Sequence, residues 1–293
     1  MPKRPPEFAA VVKRQAIMAM FSDDELMDQL VLKGGTLLDV VYKISSRASF
    51  DLDFSVAGVL GDVNTLRARI ERTLTLTFSE INYEVFDVSV REVPLDLSAE
   101  LADFWGGYQI DFKIIERDLF RQLAGNIEQI RRNAASVGKR GSTKLEIDIS
   151  KHEYCDGKQA TQLDHLTIFT YSPEMVVCEK LRSICQQMPE YTSLVRKHSS
   201  ARARDFLDIH TVSASMNVNF EAAEFADLLP KVFEAKRVPL RLLGRIAEYY
   251  DYHLQDFEAV RATVRPNFPL RTFNVYFDFV VSNVNRLKPL WNK

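Results

Sequence analysis

The chain is expected to fold as an α/β (α+β) protein: a small mixed sheet backed by helices, then a helical C-terminal domain. Three observations predict this. Stretches of apolar–polar alternation at residues 47–54, 84–90 and 145–150 are interleaved with stretches whose apolar residues recur at helical spacing. The alternation ends near Tyr171, and only helical spacing follows. A chain of 293 residues accommodates one large domain or two smaller ones, so a division into residues 1–171 and 172–293 is expected.

In order, residues 7–30 read as helical, with Asp23, Asp24 and Glu25 after Ser22 marking a second start. This part precedes the first strand and is expected to pack across the domain without carrying chemistry. Residues 30–32 read as a short strand, followed by a turn at Lys33-Gly34-Gly35-Thr36. Leu37, Leu38, Val40, Val41 and Ile44 then follow at helical spacing. Residues 47–54 alternate, with Arg47, Ser49, Asp51 and Asp53 set against Ala48, Phe50, Leu52 and Phe54. Residues 64–78 repeat Leu66, Ile70, Leu74 and Phe78 every four positions, as an amphipathic helix does. A strand at 84–90, a loop at 94–107, a strand at 107–115 and a helix at 118–135 are expected next. The basic loop 136–144 leads into a strand at 145–150 that turns Leu145, Ile147 and Ile149 inward and Glu146, Asp148 and Ser150 outward. Pro173 suits the first helical position after Ser172. Helices are expected over 174–187, 201–215, 220–234, 239–263 and 270–287, the last using Phe273, Tyr276, Phe277 and Phe279 as core rather than as a base-stacking platform.

Composition narrows the class. An apolar fraction of 46% with 27% charged residues is that of a soluble globular chain rather than a disordered one. A net charge of -2 leaves any basic surface to be local. Cys155, Cys178 and Cys185 are too few and too irregular for a disulfide framework or a zinc site, and Cys178 and Cys185 read as buried thiols. No apolar run reaches the ~18 residues of a membrane span. The start, Met-Pro-Lys-Arg-Pro-Pro-Glu, lacks the apolar centre of a signal peptide, so a cytoplasmic location is expected. The five histidines have no metal-ligand spacing and receive no role.

The chemistry is concentrated between residues 31 and 54. Successive strand residues point to opposite faces. Asp51 and Asp53 therefore share a face about 7 Å apart along the strand, from a rise of ~3.4 Å per residue. Their oxygens can converge on one divalent cation, or on two metals ~3.5–4 Å apart. Gly34 and Gly35, without Cβ atoms, let the main chain approach a ligand and take positive φ. Their N–H groups open the helix near Thr36, a place suited to phosphate. A phosphate cradle followed by an acidic pair is what metal-dependent nucleotidyl transfer needs.

The pattern Lys33-Gly34-Gly35-Thr36, then Arg47-x-Ser49-x-Asp51-Leu52-Asp53, resembles the polymerase-beta-like nucleotidyltransferase superfamily. Within it the nearest resemblance is to AbiEii/AbiGii-type toxins, the toxic halves of type IV toxin–antitoxin pairs. The resemblance implies a nucleoside triphosphate substrate, Mg²⁺ (or Mn²⁺) held by Asp51 and Asp53, and phosphates at Gly34, Gly35 and Thr36. Arg47 would orient the triphosphate or the loop, and Ser49 would assist locally. It also implies a third carboxylate on a neighbouring strand, as general base or metal ligand. Asp148 is the candidate and Asp111 the fallback.

A second motif, Arg204-Asp205-Phe206-Leu207-Asp208, resembles the Lys-Asp-x-x-Asp box of the same toxins, with arginine in place of the usual lysine. Asp205 and Asp208 share a helix face. By resemblance Lys180 and Arg204 oppose charge on the nucleotide phosphates, Asp208 holds Lys180, and the site lies in the groove between the domains. The plain alternative is an ion-pair network joining two helices. Residues 117–144 carry seven cations against Asp118 and Glu128, and residues 196–204 carry Arg196, Lys197, Arg202 and Arg204 with no acid. These stretches suit a phosphate backbone or a merely solvated basic surface. The expected function is transfer of a nucleotidyl group to RNA, by resemblance a tRNA 3′ end, with growth inhibition relieved by a cognate antitoxin. A protein acceptor such as that antitoxin, and a non-catalytic binding module, are the alternatives. The preferred base and the oligomeric state are not legible.

Overall fold

Seven strands form one mixed sheet in the computed structural model, which describes residues 6–46, 51–58, 60–138, 141–195 and 198–291. They are β1 (Leu30–Lys33), β2 (Leu52–Val56), β3 (Tyr83–Val93), β4 (Gly107–Glu116), β5 (Leu145–Ser150), β6 (Gln159–Leu163) and β7 (Leu166–Thr170). Their order across the sheet is β3-β4-β5-β2-β1-β7-β6. Strand β2 runs parallel to β5 and β1 parallel to β7, while the other neighbours are antiparallel.

The alternation written into the strands gives the sheet two unlike faces. Leu52, Phe54, Ile110, Phe112, Ile147 and Ile149 are buried on one of them, beneath α1 (Pro6–Phe21) and α3 (Val63–Ser79). Between these helices in sequence lies α2 (Asp24–Gln29), capped by Asp23. The Phe21 and Phe54 rings lie 5.9 Å apart and the Phe78 and Phe112 rings 5.8 Å apart. Helix α3 starts where Asp62 accepts from the Thr65 N–H at 2.9 Å, and it buries Leu66, Ile70, Leu74 and Phe78. Each such side chain contributes about 1.5–3 kcal/mol on leaving water. The opposite face carries the polar residues of β2, β4 and β5.

The described residues fall into two compact units. The first draws on Met1–Val41, Ser49–Cys155 and Gln159–Thr170; the second on Tyr42–Ala48, Asp156–Lys158 and Tyr171–Lys293. In the second, α4 (Pro173–Cys185) begins at Ser172, whose hydroxyl accepts from the Met175 N–H. It packs against α5 (Ala203–Met216) and α6 (Ala223–Glu234), and α5 packs against α7 (Phe273–Arg286). Phe206 stacks on Phe277 at 5.2 Å and meets Phe273 edge-on, so these aromatics are core, as expected. Cys178 and Cys185 are free and fully buried, and burial pushes both thiols up. The segment Tyr42–Ser46 belongs to this unit: the Tyr42 hydroxyl donates to the Tyr171 carbonyl, and the Ser46 carbonyl accepts from the Arg265 N–H. Among the described residues no helix is long and apolar enough to cross a membrane.

Four expectations need correction. Residues 118–135 form two short helices, Arg117–Gln122 and Ile127–Arg132, because Ala124 and Gly125 take positive φ and Asn126 caps a new helix. Residues 239–263 break into a 3₁₀ stretch, Leu240–Tyr249, and two short helices. There Leu240, Leu243, Ile246 and Tyr249 recur every third residue, which suits three residues per turn better than 3.6. Ile44 lies beyond the helix after the glycine turn, which ends at Val41 with a π-wound segment. Asp51 stands one residue before β2 rather than within it, and residues 47–50 lie outside the described residues. Residues 159–170, given no element from sequence, form the β6–β7 hairpin; β6 is mostly polar and exposed, which hides its strand character.

The apolar side of β5 serves stability alone. Ile147→Ala is expected to lower the unfolding free energy by about 2–5 kcal/mol, read from urea denaturation.

Candidate active site

Register assembles the polar face. Lys33 stands opposite Asp53 across β1 and β2, and Asp53 opposite Asp148 across β2 and β5. Asp148 in turn faces Gln109 on β4, which faces Arg91 on β3. Paired residues send their side chains to the same face, so one polar row crosses five strands. Asp53 and Asp148 sit side by side at its centre. Asp111 lies on the same face but one strand beyond, opposite Glu146, and is engaged by Arg91 at 2.6 Å and Lys144 at 3.4 Å. Of the two candidates for a third carboxylate, Asp148 is the one in register with Asp53.

The glycine turn closes over this pair. Gly34 has φ +71, and a Cβ there would overlap Asp53 Oδ2 and come within 2.9 Å of the Asp53 Cβ and Cγ. Glycine is therefore required twice, by the left-handed backbone and by the carboxylate against it. Gly34, Gly35 and Thr36 form the first turn of the short helix, and among the described residues no side chain caps it from Lys33. Open N–H groups at a helix start accept anions. The buried Thr36 hydroxyl donates to the Asp51 carbonyl at 2.5 Å, tying the turn to the residue that precedes β2. Lys33 Nζ is held by Ser150 Oγ at 3.1 Å and Glu153 Oε1 at 3.2 Å, both on or just after β5.

The electrostatics are those of crowded acids. Burial, followed by the charges of Glu146 and Asp51, raises the Asp148 pKa; the Gln109 amide opposes this and Asp111 adds to it. Among the described residues no three His, Cys, Asp or Glu side chains form a closed metal cage. Asp51 and Asp53 are hard oxygen donors beside an anion-accepting turn, a donor set of the right chemistry for Mg²⁺.

In the second unit, Lys180 of α4 lies between two carboxylates of α5, 3.1 Å from Asp205 Oδ1 and 2.8 Å from Asp208 Oδ2. Arg202 Nε reaches Asp205 Oδ2 at 2.6 Å. All three members of the Lys180 pairings are buried. Burial penalises the Asp205 charge, but Arg202, Lys180 and Arg204 outweigh it and hold the carboxyl well below its usual range. The Arg202 N–H donates to His253 Nδ1 at 3.0 Å, and burial, reinforced by the Arg202 charge against the opposing pull of Asp205, lowers the His253 pKa to about 4. Lys180, Asp205 and Asp208, singled out from sequence, form an ion-pair network joining two helices.

The model of the family described as "Nucleotidyl transferase AbiEii toxin, Type IV TA system" matches residues 16–279. The chain belongs to the AbiEii family. It is thus a nucleotidyltransferase of a type IV toxin–antitoxin system. No curated protein matches it. Among solved structures, JHP933 from Helicobacter pylori is similar at 15% identity over 99% of this chain and 95% of that one, with a TM-score of 0.49. An antigenic nucleotidyltransferase-like protein from Paracoccidioides brasiliensis is similar at 13% identity over 81% of this chain and 95% of that one, with a TM-score of 0.34.

Within this AbiEii chain, the residues singled out from sequence fare unequally. Gly34, Gly35, Thr36, Asp51, Asp53 and Asp148 are gathered on or beside one polar face, while Arg47 and Ser49 lie outside the described residues. Lys33, Gln109, Arg91 and Glu153 carry no role in the sequence reading. The alternation of β4 and β5 signals Gln109, but only the pairing of β3 with β4 reveals Arg91. The basic stretch 117–144 looks different once folded. Arg117 pairs with Glu84, Arg121 with Asp118, Arg131 with Asp87, and Lys144 with Glu146. Lys139, Arg140, Arg196 and Lys197 are outside the described residues.

Two predictions follow from this geometry. Gly34→Ala is expected to cost about 1–2 kcal/mol through its left-handed backbone, and to reduce nucleotidyl transfer far more by displacing Asp53; urea melts and a transfer assay separate the two. For His253 the folded pKa lies below the unfolded value of about 6.5, so between pH 6.5 and 4 the unfolded chain binds the extra proton and stability falls as pH drops. The fall is expected to reach about 3 kcal/mol and to be absent in His253→Asn, which keeps an acceptor for Arg202; unfolding midpoints across that pH range check it.

Proposed function

We propose that the AbiEii chain transfers a nucleotidyl group from a nucleoside triphosphate to RNA, with a tRNA 3′ end as the acceptor the resemblance favours. The observation that carries this is the Asp53 carboxylate, in register with Asp148 and pressed against Gly34 of an uncapped helix start. Asp51 and Asp53 hold Mg²⁺ or Mn²⁺. When bound, such an ion lowers the charge cost at the entering and leaving oxygens.

The chain's own groups do the rest. The first-turn N–H groups of Gly34, Gly35 and Thr36 bind the triphosphate. Thr36, through the Asp51 carbonyl, fixes the spacing between that turn and the acids. Asp148 takes the proton of the acceptor hydroxyl, and its raised pKa suits a base working nearer neutrality. The acceptor oxygen bonds to the α-phosphorus as the bond to the bridging oxygen breaks, and pyrophosphate leaves. The resemblance assigns Arg47 and Ser49 to support of the triphosphate and its loop. It assigns Lys180, Arg204, Asp205 and Asp208 to the nucleotide phosphates, with Asp208 holding Lys180. The outcome is growth inhibition relieved by the cognate antitoxin.

A second reading has a protein, such as the antitoxin, as acceptor. What favours it is that four cations of the 117–144 stretch are already paired with acids, so that stretch offers a phosphate backbone less charge than its sequence suggests.

The deciding assay incubates the chain with Mg²⁺, each labelled nucleoside triphosphate in turn, total RNA and total protein. Label is expected in the tRNA fraction, lost with a chelator, and reduced at least about a hundredfold in Asp51→Ala, Asp53→Ala and Asp148→Asn, each retaining its far-UV spectrum. Label in protein alone establishes the second reading, and undiminished label in Asp53→Ala overturns both.

A further inference from the structure

The polar row does not end at Asp148. Gln109 is its register partner on β4, and Arg91 is the partner of Gln109 on β3, the strand at the edge of the sheet. The Arg91 guanidinium donates to Gln109 Oε1 through one nitrogen and to Asp111 Oδ2, at 2.6 Å, through another. Lys144 in turn stands 3.4 Å from Asp111 Oδ1 and 2.5 Å from Glu146. A guanidinium carries donors only. The amide atom turned toward Arg91 must therefore be the oxygen, which leaves the Gln109 NH₂ for the Asp148 carboxylate that it faces.

We infer that Gln109 is a positioning residue for Asp148, with its amide held in the donating orientation by Arg91. The inference rests on the reading of Asp148 as the base or third carboxylate of the transfer reaction. Asp148 is hemmed in by Glu146, Asp51 and Asp111, all of which repel its charge. A single neutral donor at its flank fixes one carboxylate oxygen and leaves the other turned to the reaction. Arg91 does not touch the reacting atoms in this arrangement. It works through Gln109, and Asp111, itself paired with Lys144, holds it in place. This gives the fallback carboxylate, Asp111, a different task from that of Asp148: it anchors the arginine.

Gln109→Glu gives a test that packing cannot mimic. Glutamate has the shape of glutamine and still accepts from Arg91, but it presents an acceptor, not a donor, to Asp148. Truncation to alanine removes the donor without adding repulsion. With pyrophosphate release from nucleoside triphosphate, Mg²⁺ and total RNA as the assay, Gln109→Ala is expected to lower kcat about tenfold, with KM for the triphosphate within about twofold. Gln109→Glu is expected to lower kcat about a hundredfold, despite an unchanged melting temperature. Arg91→Leu, which frees the amide to rotate, is expected to resemble Gln109→Ala. In the metal-free protein, the Asp148 carboxyl ¹³C resonance is expected to move in Gln109→Ala and Arg91→Leu. A Gln109→Glu chain at least as active as Gln109→Ala, or an unmoved Asp148 resonance, overturns the inference. Asp148→Asn run alongside separates the levels. If it stays active, the role of Asp148 falls and this inference with it; if it is inactive while the Gln109 variants keep full activity, only the inference falls.

Discussion

The absence of a side chain at Gly34 is the constraint on which the polar face of the sheet depends. Asp53 occupies the volume a Cβ would need, so turn and acid share one space and neither can be placed without the other. Strand pairing then propagates that placement. Once β2 is set against β1, its parallel register with β5 brings Asp148 beside Asp53. Backbone hydrogen bonding, a short-range and nearly geometric rule, thus delivers carboxylates that are 95 positions apart in the sequence to adjacent places.

The two units use buried charge differently. On the sheet, the acids near Asp148 are like-charged neighbours, an arrangement that a domain has no stability reason to keep. In the second unit, Lys180 is surrounded by the opposite sign, and each buried charge has a partner. Breaking such a pair leaves an uncompensated charge in low dielectric and is costly. The first arrangement keeps like charges around Asp148, while the second is already neutralised. Sequence motifs of equal apparent weight fold into these two different electrostatic states.

Much of this was legible beforehand. The strand at 145–150, the helix over 64–78 and the start at Ser172 follow from patterns that local physics enforces: period two, period four and a hydroxyl cap. The acids were legible as well, since Asp53 and Asp148 both fall on the polar side of alternating strands. What failed did so for identifiable reasons. A single helix over 118–135 would have to pass through Ala124-Gly125-Asn126, where turn chemistry overrides apolar spacing. The basic character of 117–144 is a count along the chain, whereas Glu84 and Asp87, which neutralise Arg117 and Arg131, arrive from β3. Nothing local distinguishes Arg91; its meaning comes wholly from standing next to Gln109.

The stretch Tyr42–Ser46 connects the glycine turn to the residues before Asp51, yet its hydrogen bonds run to Tyr171 and Arg265. The segment that links the turn to Asp51 thus belongs to the second unit, not the first. A fragment ending at residue 170 would keep every strand of the sheet but lose the partners of its own connecting segment, the Tyr171 carbonyl and the Arg265 N–H. Any evolutionary exchange of the helical half would meet the same restriction: it must bring its own clasp for that loop.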